Sequence, residues 1–217
     1  MFRTVFLMNL RALITIPVAT LVLSAPALTG VAQAATGCDL NYPDSDVPRL
    51  FPESTGYKTR YISLTEHELR NVVMRLGEGY RGLYDPLNVP YSLYEVYTGK
   101  QLAGYVHGVN QKGQYGGIQV FVSLDMKGTI KSFYIQKMSG RLAGKFRDAQ
   151  FGRQFSGLSL RDFDIFDPVT GKGSGKIAAI RNPAPEAETD FYGVLRALKK
   201  NLVLMDEFVY SKKRKGP

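Results

Sequence analysis

His67, His107 and Cys38 are the only two histidines and the only cysteine in this chain of 217 residues. They are too few and too scattered to build a His/Cys metal cluster, and one cysteine closes no internal disulfide. His107 stands in an apolar, β-branched stretch beside Gly108, the setting of a structural or surface histidine. His67 falls in the first turn of a predicted helix and reads as solvated. Asp162, Asp164 and Asp167 are spaced two and three apart, as in a calcium loop, but the glycine and terminal glutamate of an EF-hand are missing. Thr170-Gly171-Lys172-Gly173-Ser174-Gly175-Lys176 is rich in glycine and lysine. It lacks the G-x-x-x-x-G-K-[ST] spacing of a phosphate-binding loop, and no strong strand precedes it. No Ser/His/Asp or Cys/His constellation can be assembled. The sequence therefore names no catalytic residue and no metal ligand, and leaves open whether the protein is an enzyme.

The elements that would position a site are clearer. Thr65-Glu66-His67-Glu68 is a capping box, and Leu69, Val72, Val73 and Leu76 follow at helical spacing, predicting a helix over 66–77. Segments 91–97, 101–109, 118–125 and 129–137 read as strands. Ile118, Val120, Val122 and Leu124 alternate with Gln119, Phe121, Ser123 and Asp125, a period of two with one apolar face. Their connections are too short for parallel crossovers. Asp125-Met126-Lys127-Gly128 suits a hairpin turn, whereas Asn110–Gly117 reads as a longer, glycine-rich loop. A short helix is predicted over 146–155. Phe191, Val194, Leu195, Leu198 and Leu202 form one stripe of a helix over about 187–205, with Glu186, Glu188 and Asp190 at its positive end. The fold class is α+β, an antiparallel β-sheet meander with helices packed on one face.

Residues 1–34 have the marks of a secretory signal peptide: Arg3 and Arg11, an apolar run from Leu13 to Leu23, and Ala32-Gln33-Ala34 as an A-x-A cleavage site. The expected location is periplasmic. Gly37-Cys38 leaves an alternative in which Cys38 is lipidated, although Ala35 stands where lipoprotein sites usually carry Leu. Residues 35–62 read as an extended lead-in, 63–210 as the domain and 211–217 as a basic tail. The leader holds two of the Lys and Arg and no acid, so most of the formal net charge of +9 stays with the remainder. A secreted chain rarely meets nucleic acid. The tail Lys212-Lys213-Arg214-Lys215 points to an anionic membrane surface or an acidic partner, or is simply solvated.

The order Gly99-Lys100, Gly104-Tyr105, Gly116-Gly117-Ile118, Asp125-x-x-Gly128-x-Ile130 and Phe151-x-x-Gln154-Phe155-x-Gly157, over about 91–204, resembles the FMN-binding domain family. Its members include the flavin-bearing periplasmic subunits of the sodium-pumping NADH:quinone reductase and of Rnf electron-transport complexes. The resemblance implies FMN as cofactor, a membrane redox complex or cytochrome as partner, and a flavin transferase. In the family the FMN phosphate is esterified to a threonine in S-G-A-T before the last helix. Here Glu188 falls nearest that position and Thr189 is one further on; a glutamate forms no such ester and repels phosphate. Lys137-Met138-Ser139-Gly140 stands where the family has E-T-x-G beside the flavin ring. The residues implied to contact the cofactor are Gln114, Tyr115, Gly116, Ser139, Gly140, Glu188 and Thr189, with hairpin geometry an equal account of the glycines. The resulting expectation is a periplasmic FMN-binding-type protein in or beside an extracytoplasmic electron-transfer chain. The alternative is a flavin-free scaffold, binding or assembly protein of the envelope that keeps the fold only.

Overall fold

The computed structural model describes residues 38–77, 80 and 87–215; the signal peptide expected over residues 1–34 lies outside them. The strands are β1 (Gly56–Ile62), β2 (Tyr91–Thr98), β3 (Gln101–Gly113), β4 (Gly116–Asp125) and β5 (Ile130–Lys137). They form one antiparallel sheet in which each strand pairs with the next in the chain. This is the expected α+β meander, with β1 as an additional edge. The Asp125 carboxylate builds the last turn by accepting from the amides of Lys127 at 2.8 Å and Thr129 at 2.9 Å. A two-stranded ribbon of β6 (Phe166–Asp167) and β7 (Lys172–Gly173) accommodates most of the glycine- and lysine-rich stretch.

The helices are α1 (Pro43–Leu50), α2 (Glu66–Leu76), α3 (Ala143–Phe146), α4 (Ala149–Arg153), α5 (Gly175–Ala178), α6 (Glu188–Met205) and α7 (Ser211–Lys215). The capping box of α2 is complete: Thr65 Oγ1 accepts from the Glu68 amide, and the Glu68 carboxylate accepts from the Thr65 amide at 2.8 Å. The helix expected over 146–155 is broken into α3 and α4, because Asp148 leaves helical geometry to cap α4 by accepting from the Gln150 amide at 2.6 Å. Among the described residues no helix is long and apolar enough to cross a membrane.

Strand alternation divides the apolar residues between two layers. Leu93, Tyr105, Val109, Ile118, Val120, Val122 and Leu124 face α6 and α2, where Val194, Leu195, Leu198 and Leu202 are buried against them. Each of these aliphatic side chains contributes about 1.5–3 kcal/mol relative to exposure. The opposite face is also covered. Tyr94, Val96, Val106 and Phe121 pack against Cys38, Leu40, Val47, Leu50 and Phe51. Gly104 makes this layer close: a Cβ there would stand 2.2 Å from the Leu124 carbonyl oxygen and 2.7 Å from the Phe51 ring.

Three expectations change. Residues 35–62 are not wholly an extended lead-in; α1 and β1 fall within them, and the apolar residues of 38–51 acquire meaning only as the cover of the second face. Asn110–Gly117 is not a long loop. β3 runs on to Gly113, pairs with Gly116, and leaves a two-residue turn of Gln114 and Tyr115. Its polar residues stay ordered because α6 covers one side, burying Gln111. The basic tail does not dangle: helix α6 continues through a π-turn at Asp206–Tyr210 into α7.

Candidate functional site

Pairing between β2 and β3 stops at Leu93 and His107, while β3 and β4 stay paired as far as Gly113 and Gly116. The tip of this hairpin therefore projects beyond β2, and α6 fastens it at two points. Lys200 Nζ donates to the Asn110 carbonyl at 2.9 Å, and the buried Asp190 carboxylate accepts from the Gln114 amide at 2.7 Å. Asp190 lies in the first turn of α6, where a carboxylate is favoured by the helix dipole.

Tyr115, at the turn, is 62% exposed and rests on Gly140. Gly140 has φ of 113°, and a Cβ there would come within 2.8 Å of the Tyr115 ring. Both the backbone conformation and the approach of the ring require glycine. Ser139 is exposed beside it. Glu188 and Thr189 are the first two residues of α6, both exposed, and neither caps the helix. The turn of Gln114, Tyr115 and Gly116 thus meets Gly140, next to Ser139, on one side and Asp190, next to Glu188 and Thr189, on the other. The side chain that ties the helix start to the hairpin is their neighbour Asp190.

A groove of about 750 Å³ is lined by Gly144, Lys145, Asp148, Gln154, Arg181 and Pro183 among others, and none of the seven expected contact residues lines it. One wall is held by Gln154, whose side chain accepts from the Arg181 amide at 2.8 Å and donates to the Arg181 carbonyl at 3.3 Å. This clamp joins the F-x-x-Q-F-x-G stretch to the approach of α6. Lys145 faces Glu186 at 3.7 Å between two half-exposed side chains, a weak pair. The backbone amide of Glu186, together with Lys145, holds its carboxyl below the usual range. Asp148 is occupied as the cap of α4. Lys145 and Arg181 thus bring two cations to the groove beside the carboxylate of Asp148, while the Gln154 amide is spent on the Arg181 backbone. The start of α6 does not fit a phosphoester, since Glu186, Glu188 and Asp190 crowd three carboxylates where the ester would stand.

The remaining chemical groups are structural. His107 is fully buried; burial drives its pKa down to about 4, with Asn201 opposing and Lys200 adding to the shift. Asn201 donates to the His107 carbonyl at 2.9 Å and so turns its oxygen to His107 Nδ1 at 3.1 Å. The imidazole therefore carries its proton on Nδ1, and Nε2 has no hydrogen-bond partner. Cys38 is 3% exposed, and burial followed by Asp39 pushes its thiol up to about 12. It packs as a small apolar group, and a lipid on its sulfur would require opening the second face. Asp162 caps the turn at Ser159, and Asp167 holds the amide of Val169 and the hydroxyl of Thr170. Among the described residues no group of three or more His, Cys, Asp or Glu is placed to hold a metal ion.

Lys145, Arg181 and Asp190 were not among the predicted site residues. Gln154 and Phe151 had a signal in the motif that carries the family resemblance, but Lys145 and Arg181, tens of residues apart, have none until the groove assembles. The sequence matches no family model and no curated protein.

Proposed function

We propose that this chain is an extracytoplasmic FMN-binding-type protein working in or beside an electron-transfer chain, and that it holds its flavin without a covalent bond. The observation that carries this reading is the groove whose wall is fixed by the Gln154–Arg181 clamp, next to the helix start where the resembling family places its flavin. Its volume is within the range of small-molecule sites. Lys145 and Arg181 would hold the phosphate at the groove. The flavin supplies one- and two-electron chemistry when bound; the residues of this chain bind it, orient it and shield it from water. Noncovalent binding accords with the three carboxylates at the start of α6.

A specific observation favours the second reading, a flavin-free scaffold or assembly protein. Asp190 and Tyr115 satisfy the hairpin tip and Gly140 within the chain itself. The deciding experiment is an absorption spectrum of protein purified from its native envelope, followed by acid precipitation. Flavin absorbance that moves to the supernatant is the expected result, and Arg181→Glu should then weaken FMN binding about tenfold. Flavin retained in the pellet would mean covalent attachment, with Thr189→Ala as the check. A colourless protein that also fails to quench added FMN would leave the scaffold.

A further inference from the structure

Residues 126–160 contain seven Lys or Arg, at 127, 131, 137, 141, 145, 147 and 153, and a single acid, Asp148. Outside this segment and the leader, the chain has nineteen basic and eighteen acidic residues. Nearly all the net charge beyond the leader therefore comes from one segment, and all seven cations are exposed. The segment makes a continuous structural unit: the turn before β5, β5 itself, and α3 with α4. Arg147 spends a hydrogen bond on the Met138 carbonyl at 2.9 Å, which leaves its charge uncompensated. Lys131 pairs with Glu53 and Lys145 with Glu186, both at partly exposed positions where such pairs are weak.

β5 is an edge of the sheet. Among the described residues, the backbone bonds that reach it from outside the sheet are two at its first residue, Ile130, with Gly157 and Leu158. Beyond that point the edge borders a groove of about 270 Å³ lined by Phe133, Ile135 and Phe146, with Lys131, Arg147 and Arg153 among its other lining residues. An unpaired strand edge, an apolar channel alongside it and a cationic border are together the requirements of strand addition by an acidic segment. A membrane surface would call for large apolar side chains standing out among the cations. In 126–160 only Met126, in the turn before β5, is such a side chain, and none is exposed along β5, α3 or α4.

We infer that the β5 edge is a docking site for an extended, acidic segment of a partner protein, which adds as a sixth strand with its carboxylates on the cations of β5, α3 and α4. The inference does not depend on flavin. The competing account is that Lys131 and Lys137 only guard the edge against pairing, as edge lysines often do.

The test uses the chain without its leader and a fluorescent peptide, acetyl-(Glu-Val)4-amide, beside a control with proline at two of the valines. Anisotropy should show saturable binding that weakens steeply with salt. The proline control should bind at least about fivefold more weakly, because proline cannot donate to a strand ladder. Lys137→Glu with Arg153→Glu should lower affinity about tenfold, whereas Lys100→Glu, in the β2–β3 turn, should leave it unchanged. Amide exchange over 131–137 should slow on binding. Equal binding of the two peptides would reduce the face to a charge effect and overturn the proposal. So would binding to phosphatidylglycerol vesicles in place of peptide, or binding to neither at low salt.

Discussion

The C-terminal run Ser211–Lys215 and the segment 126–160 are both basic, yet the fold treats them in opposite ways. In the tail, four cations are consecutive and look like a free polycation. The structure winds them into α7 and assigns three of them partners: Lys212 to Glu68 at 2.7 Å, Lys213 to the Tyr105 hydroxyl at 3.0 Å, and Arg214 to Asp206 at 2.8 Å. Asp206 also receives Arg75 from α2 at 3.0 Å, and Glu207 receives the other arm of Arg75 at 2.9 Å. In 126–160 the cations are spread thinly along the sequence, and the fold delivers Glu53 to Lys131 and Glu186 to Lys145, both at partly exposed positions. Charge density along a sequence is thus a poor guide to surface potential, because pairing depends on which acids the fold delivers.

An acid titration probes the largest effect and separates the core from both regions. His107 has its pKa lowered to about 4 in the folded chain, against an ordinary value near 6.5. Between these values the unfolded chain binds the extra proton. Stability is therefore full above about pH 6.5 and falls as pH drops towards 4, by about 3 kcal/mol in total. Urea unfolding across this window should show the slope, and His107→Gln should flatten it. A further loss should follow at lower pH from the tail. Burial raises the Glu68 carboxyl, but Lys212 and Thr65 more than offset it and leave its pKa below the usual value. Its contribution is present above the ordinary carboxylate pKa and disappears as pH falls through the lowered one.

The next effect tests the tail directly. Asp206→Ala leaves Arg75 with Glu207 alone and takes the carboxylate from the exposed Arg214, and should cost about 1 kcal/mol in chemical denaturation. An unchanged midpoint would mean that α7 is not held and that the contrast between the two regions fails. The smallest effects sharpen it. Lys212→Ala removes a half-exposed pair and should cost no more than about 0.5 kcal/mol. Arg153→Ala should leave stability within about 0.5 kcal/mol while weakening the acidic peptide. A measurable stability loss at Arg153 would place it among the structural cations.

The legible parts of the fold were those whose signal is local. The capping box at Thr65, the alternation at Ile118–Leu124 and the stripe from Phe191 to Leu202 each appear where the sequence puts them. The extension of β3 was misread as a loop because Asn110, Gln111 and Lys112 are polar; only the cover of α6 makes that stretch a strand. Of the expected contact residues, Gln114 meets the start of α6 through Asp190, and Tyr115 meets Gly140. Asp190 was passed over because its sequence context explains it fully as a first-turn acid, and only the folded chain gives it the Gln114 amide.

By itself the sequence determined the α+β meander, the principal helices and the turn at Asp125, because these rest on hydrophobic period and on hydrogen bonds within a few residues. The tertiary structure alone decided that residues 38–51 roof the second face, that the tail is paired, and that the groove beside Gln154 and Arg181 exists. Each depends on groups separated by tens of residues. No local pattern encodes such meetings, and burial, charge compensation and shape are properties of what the chain brings together.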